Sequence, residues 1–190
     1  MISVTRIFLS IFTVGLFLAG CSSGYEEKKK AAINNLHANF ASSSVIIHLS
    51  PQPDLNARDG LPNSCAVLII QSGKKQTLRE LMENPVMVKQ LFNDAGSMND
   101  ILKVDRYFAM PGQKATLHID RSENARYVGI IAGYYPFPSE QHTLIFDIPV
   151  NVVEHGLFSK TLSASLGILE TSIILKKEQI TGTITGKEGI

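Results

Sequence analysis

The side chains able to carry chemistry in this 190-residue chain are five histidines, two cysteines and 17 Asp and Glu. The histidines, His37, His48, His118, His142 and His155, stand at no helical-pair or zinc-ligand spacing, so a metal site would need ligands brought from distant strands. No GxSxG elbow offers a serine nucleophile, and no GxGxxG opens a helix after a strand. The stretch Gly182-Thr183-Ile184-Thr185-Gly186-Lys187 comes nearest to a phosphate loop, but its glycines are one residue too close and Glu188 stands where Ser or Thr is required. Carboxylates are scattered, and chain order alone does not pair them. No metal, cofactor or catalytic residue is therefore expected, and the chain reads as a non-enzyme.

The two cysteines differ by context. Cys21 closes an apolar run from Ile7 to Gly20, which follows one early charge, Arg6, and contains no acid. A helix needs about 20 apolar residues to cross the hydrocarbon layer, so this run is too short to remain in a membrane. A basic start, a short apolar middle and small residues at the far end make a secretory signal that is removed. Leu18-Ala19-Gly20-Cys21 resembles the lipobox of bacterial lipoproteins, in which the cysteine becomes the lipid-modified first residue of the mature chain. An ordinary signal peptide with an incidental cysteine is the alternative. By the same resemblance, Ser22 in place of an aspartate implies the outer membrane, on its periplasmic face. An acylated Cys21 leaves Cys65 without a disulfide partner. Set between Leu61-Pro62-Asn63-Ser64 and the run Ala66 to Ile70, Cys65 is expected to be a small buried hydrophobe.

Without residues 1–20 the chain has 17 basic and 17 acidic side chains, since only Arg6 is lost. That balance argues against nucleic acid, which calls for a clustered excess of Lys and Arg. Glu26-Glu27-Lys28-Lys29-Lys30 next to the anchor is a solvated tether or a contact to anionic lipid. The expected layout is a signal peptide over 1–20, a lipidated tether over 21–42 and a β-sandwich over 43–190, with a helical insertion near 77–93.

The elements that must position any site are mostly strands. Ser44–Leu49, Ala66–Gln71, Val104–Ala109, Ala115–Asp120, Tyr127–Tyr134, Thr143–Ile148, Ser172–Leu175 and Ile180–Thr185 are apolar, β-branched or alternating. Pro111-Gly112 is a turn. A short helix is expected from Lys29 to Phe40. Thr77-Leu78-Arg79-Glu80 matches a capping box, and Asn84-Pro85 starts a second helix, with Asn84 as cap and Pro85 in the first turn. Many short strands with Gly, Pro and Asn turns point to an antiparallel β-sandwich with a short helical insertion.

In order, the motifs DLNARDGLP between the first two strands, a helical pair, MPGQ before a strand and YVGIIAGYYP resemble the outer-membrane lipoprotein family of type VI secretion systems, TssJ (VasD/SciN-like). The matched positions are Leu55, Asn56, Gly60 and Pro62 in the loop, Pro111 and Gly112 in the turn, and Val128, Gly129, Ala132 and Tyr134 in the later strand. The resemblance covers residues 41–150. The basic turn SGKKQT and the long tail from Asn151 depart from it. It implies a transthyretin-like sandwich tethered to the outer membrane that holds the periplasmic C-terminal domain of TssM, with TssL joined indirectly. It places the contact on the loop, at Asp54, Leu55, Asn56, Arg58, Asp59 and Leu61, with Leu61 as apolar anchor and Arg58 and Asp59 as polar contacts.

Three alternatives stay open at this stage, one of them a periplasmic enzyme, which the missing motifs disfavour. The loop residues could form an ordinary surface turn, Asn56 and Asp59 bonding their own backbone and Leu61 tucked into the core. The whole could instead be a lipid-anchored sandwich binding a small ligand or glycan at the aromatic cluster Tyr134, Tyr135 and Phe137.

Overall fold

The run from Ala66 to Ile70 has no polar alternation because both its faces are covered. A computed structural model describes residues 21–93, 99–135, 139–156 and 160–185. In it the run lies in β2 (Cys65–Ser72), with Val67 and Ile69 turned into the sandwich and Leu68 and Ile70 turned towards two helices. The preceding strand β1 (Ala41–Pro51) alternates instead, burying Val45, Ile47 and Leu49 while Ile46, His48 and Ser50 stay half-exposed.

The remaining sandwich strands are β3 (Ile101–Ala109), β4 (Ala115–Arg121), β5 (Tyr127–Ala132), β6 (Thr143–Asp147), and β9 (Leu169–Leu175) with β10 (Ile180–Ile184), after a separate hairpin of β7 (Val150–His155) and β8 (Thr161–Leu166). One sheet runs β10-β9-β1-β4 and the other β3-β2-β5-β6. Their inner faces share one core, in which Val45, Ile47, Leu169 and Ile173 meet Val67, Ile69, Val128 and Ile130. Among the described residues of the two sandwich sheets, each pairing is antiparallel except β1 with β9, which is parallel from Val45↔Leu169 to Pro51↔Leu175. β9 reaches β1 after a long excursion rather than through a hairpin, so no tight turn imposes an antiparallel direction.

α2 (Lys75–Met82) and α3 (Pro85–Phe92) lie between β2 and β3 and pack Leu78, Leu81, Val88 and Leu91 onto Leu68, Ile70 and Ile131; they follow α1 (Cys21–Asn34) in the chain. Gly129 permits this closeness, since a Cβ there would stand 2.8 Å from Met82 Cε and 3.2 Å from Leu78 Cδ2. The Asn84 cap forms, its Oδ1 accepting from the N–H of Val86 (3.1 Å) and Met87 (3.2 Å), with Pro85 in the first turn. The capping box at Thr77 does not. The Ser72 hydroxyl accepts from the Lys74 N–H (3.1 Å), which shapes the approach, so α2 starts at Lys75 and Thr77 falls inside it.

The chain falls into two compact units, one of His37–Val150 with Leu166–Ile190 and the other of Met1–Leu36 with Asn151–Ser165. Of the second, α1 and most of the β7–β8 hairpin are described. α1 ends at Asn34 rather than continuing to Phe40. Lys28 Nζ donates to the Lys160 carbonyl (3.3 Å), and Lys160 pairs with Glu154 (2.7 Å). The hairpin was not legible in the tail because β7 is exposed at every position but Val152 and so shows no apolar run.

Candidate functional site

The loop between β1 and β2 is held from inside and shaped from outside. Leu55 is wholly buried in the sandwich core. From that plug the chain rises into a two-residue turn at Asp59-Gly60, where Arg58 and Leu61 exchange both backbone hydrogen bonds (2.9 and 2.8 Å). Both central residues have positive φ, +51° at Asp59 and +78° at Gly60, as a type I′ turn requires. Leu61 emerges from it 70% exposed. The alternative with Leu61 tucked into the core does not hold: Leu55 takes the interior place, and Leu61 faces solvent.

Side chains then lock the loop to its neighbours. Asn56, with φ +47°, donates from Nδ2 to the Ser64 carbonyl (3.0 Å) and accepts at Oδ1 from the Tyr135 N–H (3.3 Å). It thus bonds the far end of its own loop and a second loop, rather than the backbone beside it. Asn63 Nδ2 donates to the Leu61 carbonyl (2.9 Å), and the Arg58 guanidinium lies 3.4 Å above the Tyr135 ring centroid, a cation–π contact. Asp54 is exposed and its carbonyl accepts from Ala57 N (3.2 Å).

Other loops meet it at the same end of the sandwich. Gln52 N donates to the Leu175 carbonyl (2.8 Å), and the Gln52 carbonyl accepts from Gly112 N (3.2 Å) in the Pro111-Gly112 turn. Tyr134 is buried and its hydroxyl donates to the Gln179 carbonyl (3.0 Å), so burial holds that phenol protonated. Phe137, the third member of the aromatic cluster, lies outside the described residues.

Beside the loop opens a cleft of about 590 Å³, with Arg58, Ser64, Lys89, Phe92, Asn93 and Tyr135 among its lining. Lys89, Phe92 and Asn93 come from the end of α3, some thirty residues along the chain from the loop. No local signal in the sequence ties them to it.

Chemistry elsewhere is sparse. Cys65 is buried and free, and burial pushes its thiol up to about 12, so it stays protonated and inert. No group of three or more His, Cys, Asp or Glu among the described residues is placed to hold a metal ion. One arrangement went unread in the sequence: His48 Nδ1 lies 3.1 Å from Thr116 Oγ1 and its Nε2 lies 2.9 Å from Glu170 Oε1, across β4, β1 and β9. It has the order of a nucleophile, base and acid, but it lies on the outer face of a sheet with the His48 and Glu170 side chains 37% and 41% exposed, where water screens any charge that would develop.

His142 is buried against Tyr134, ring centroids 4.9 Å apart, and its Nε2 meets the Glu178 carbonyl at 3.1 Å. Its Nδ1 has no partner among the described residues. Burial therefore lowers its pKa, the carbonyl opposing this only in part. Below about pH 6.5 the unfolded chain takes up a proton at this site that the folded one resists, so stability falls as pH falls. His142→Gln is expected to flatten that acid arm in urea midpoints measured across it; an unchanged slope would show that the buried ring does not set it.

Residues 43–168 match the model of the family described as type VI secretion lipoprotein, VasD, EvfM, TssJ. The chain belongs to this family. The lipoprotein has the fold of solved members. It is similar to TssJ1 from Pseudomonas aeruginosa, with a TM-score of 0.56 and 16% identity over 79% of this chain and 98% of that one. It is also similar to Serratia marcescens Lip, a membrane-bound component of the type VI secretion system, with a TM-score of 0.54 and 20% identity over 75% and 98%. A chain in the structure described as the TssM C-terminal domain from EAEC aligns with a TM-score of 0.51 and 14% identity over 73% and 96%. No curated protein matches. The resemblance read from DLNARDGLP, MPGQ and YVGIIAGYYP thus leads to the family itself, a secretion-system lipoprotein family.

Proposed function

We propose that this lipoprotein is anchored through an acylated Cys21 to the periplasmic face of the outer membrane and there holds the periplasmic C-terminal domain of TssM, with TssL joined only through the resulting complex. The observation that carries this reading is the β1–β2 loop, with Leu61 presented on a turn that Leu55, Asn56 and Arg58 hold in place. A loop already fixed loses little conformational entropy on binding, so more of its contact energy appears as affinity. β1 also separates the two tasks. The chain enters it at Ala41 and leaves it into the loop, and eleven residues of strand span about 30 Å. The chain that leads from the anchor therefore joins the sandwich at the end of β1 away from the loop. The presence of this fold in a structure described by TssM supports the choice of partner.

The test is equilibrium binding of the full chain in detergent to the periplasmic C-terminal domain of its cognate TssM. Wild type is expected to bind at micromolar affinity or tighter, and a variant with residues 56–61 replaced by Gly and Ser is expected to lose binding. A folded wild type that binds nothing would overturn the reading.

A further inference from the structure

On the reading that the loop holds a protein partner, the adjoining cleft selects for charge. Its two charged lining residues, Arg58 and Lys89, are both cations, and no described residue of the lining is acidic. Arg58 rests on Tyr135 rather than on a carboxylate, and Lys89, exposed on α3, forms no ion pair among the described residues. Lys74, Lys75 and Lys160, by contrast, are each matched locally, with Asp100, Asp147 and Glu154. Negative potential from the last carbonyls of α3 would offset the two cations, but Arg106 Nη2 donates to the carbonyls of both Leu91 and Phe92 at 3.0 Å.

Phe92, Ala66 and Gly133 give the lining an apolar part. The Phe92 ring lies against Gly133, where a Cβ would stand 3.0 Å from its Cε1 and 3.3 Å from the Ala66 carbonyl, so any larger residue would push the ring into the opening. Asn56 and Asn63 have their amide groups engaged within the loop and with Tyr135, which keeps the wall in place. Cations on two different elements and an aromatic ring in one lining, next to a loop that exposes a leucine, match one kind of occupant.

We infer that the cleft receives a segment of the protein partner carrying an Asp or Glu side chain next to an apolar one, the carboxylate between Arg58 and Lys89 and the apolar group on Phe92. The charges steer the segment in, and the loop then holds it. Because the cleft is open to solvent, its charges act more on association than on dissociation, and salt weakens them.

The experiment measures association and dissociation rates of the full chain in detergent with the same TssM domain, at low and at high salt. Lys89→Glu is expected to slow association about tenfold at low salt, with dissociation little changed and a shallower salt dependence. Arg58→Gln is expected to slow association to a smaller extent and, because Arg58 also braces the loop on Tyr135, to speed dissociation as well, whereas Lys30→Glu on α1, an equal charge change to Lys89→Glu but outside the cleft, is expected to match wild type. Unchanged thermal midpoints establish that each variant is folded. The inference is overturned if wild type binds and loses binding on loop replacement, yet Lys89→Glu and Arg58→Gln associate at the wild-type rate with the wild-type salt dependence. A folded wild type that binds nothing overturns the tethering reading, and this inference with it.

Discussion

Cys21→Ser is expected to remove the protein from the outer-membrane fraction almost completely. Each acyl CH₂ buried in the membrane contributes about 0.8 kcal/mol, and one myristoyl chain alone holds a protein only reversibly, so stable attachment needs more than one chain or a second signal. The described residues supply no substitute. None of their helices is long and apolar enough to cross a membrane, and α1 is a polar helix rich in Glu and Lys. Fractionation of cells expressing this chain without its partners is the measurement. A serine variant that stays with the outer membrane would show that something other than a lipid on Cys21 holds it there.

Leu55→Ala is expected to cost about 2–5 kcal/mol of folding stability, because a fully buried leucine leaves a cavity that its neighbours fill only in part. For a chain of this size that lowers the thermal midpoint by about 2–4 °C per kcal/mol. The same change frees the base of the loop, so partner binding weakens as well. Leu61→Ala provides the contrast. Its side chain is 70% exposed, so its effect on stability is expected within about 0.5 kcal/mol, while binding still drops. Calorimetry and binding on the two variants separate the roles. Equal destabilisation by both would contradict the inward and outward assignment.

The features legible from sequence are those whose cause lies within a few residues. Asn84-Pro85 starts a helix because an amide oxygen two and three residues from free N–H groups can reach them whatever lies elsewhere. Pro111-Gly112 turns because Pro fixes one φ and Gly accepts the other, here +72°. The strands from Ala66, Ala115, Tyr127 and Thr143 were readable from apolar and β-branched composition, to within a residue or two at their starts.

Where a distant group competes, local reading fails. Thr77-Leu78-Arg79-Glu80 is a sound capping box, but Ser72 bends the chain first and the helix begins ahead of it. The β7–β8 hairpin lacks any apolar run to announce it. Within DLNARDGLP, both leucines look alike as anchors, and only the sandwich beneath decides that Leu55 is interior and Leu61 is not.

By itself, then, the sequence determined a strand-rich sandwich with two short inserted helices, the caps and turns that bound them, and the family to which the ordered motifs belong. Tertiary structure decided the parallel pairing of β1 with β9, the orientation of Leu55 against Leu61, and the meeting of Lys89 and Phe92 with Arg58 and Tyr135. Propensities and caps act over one turn or one strand, whereas a cleft is made where segments far apart in the chain share a core, and that proximity is set only when the core packs.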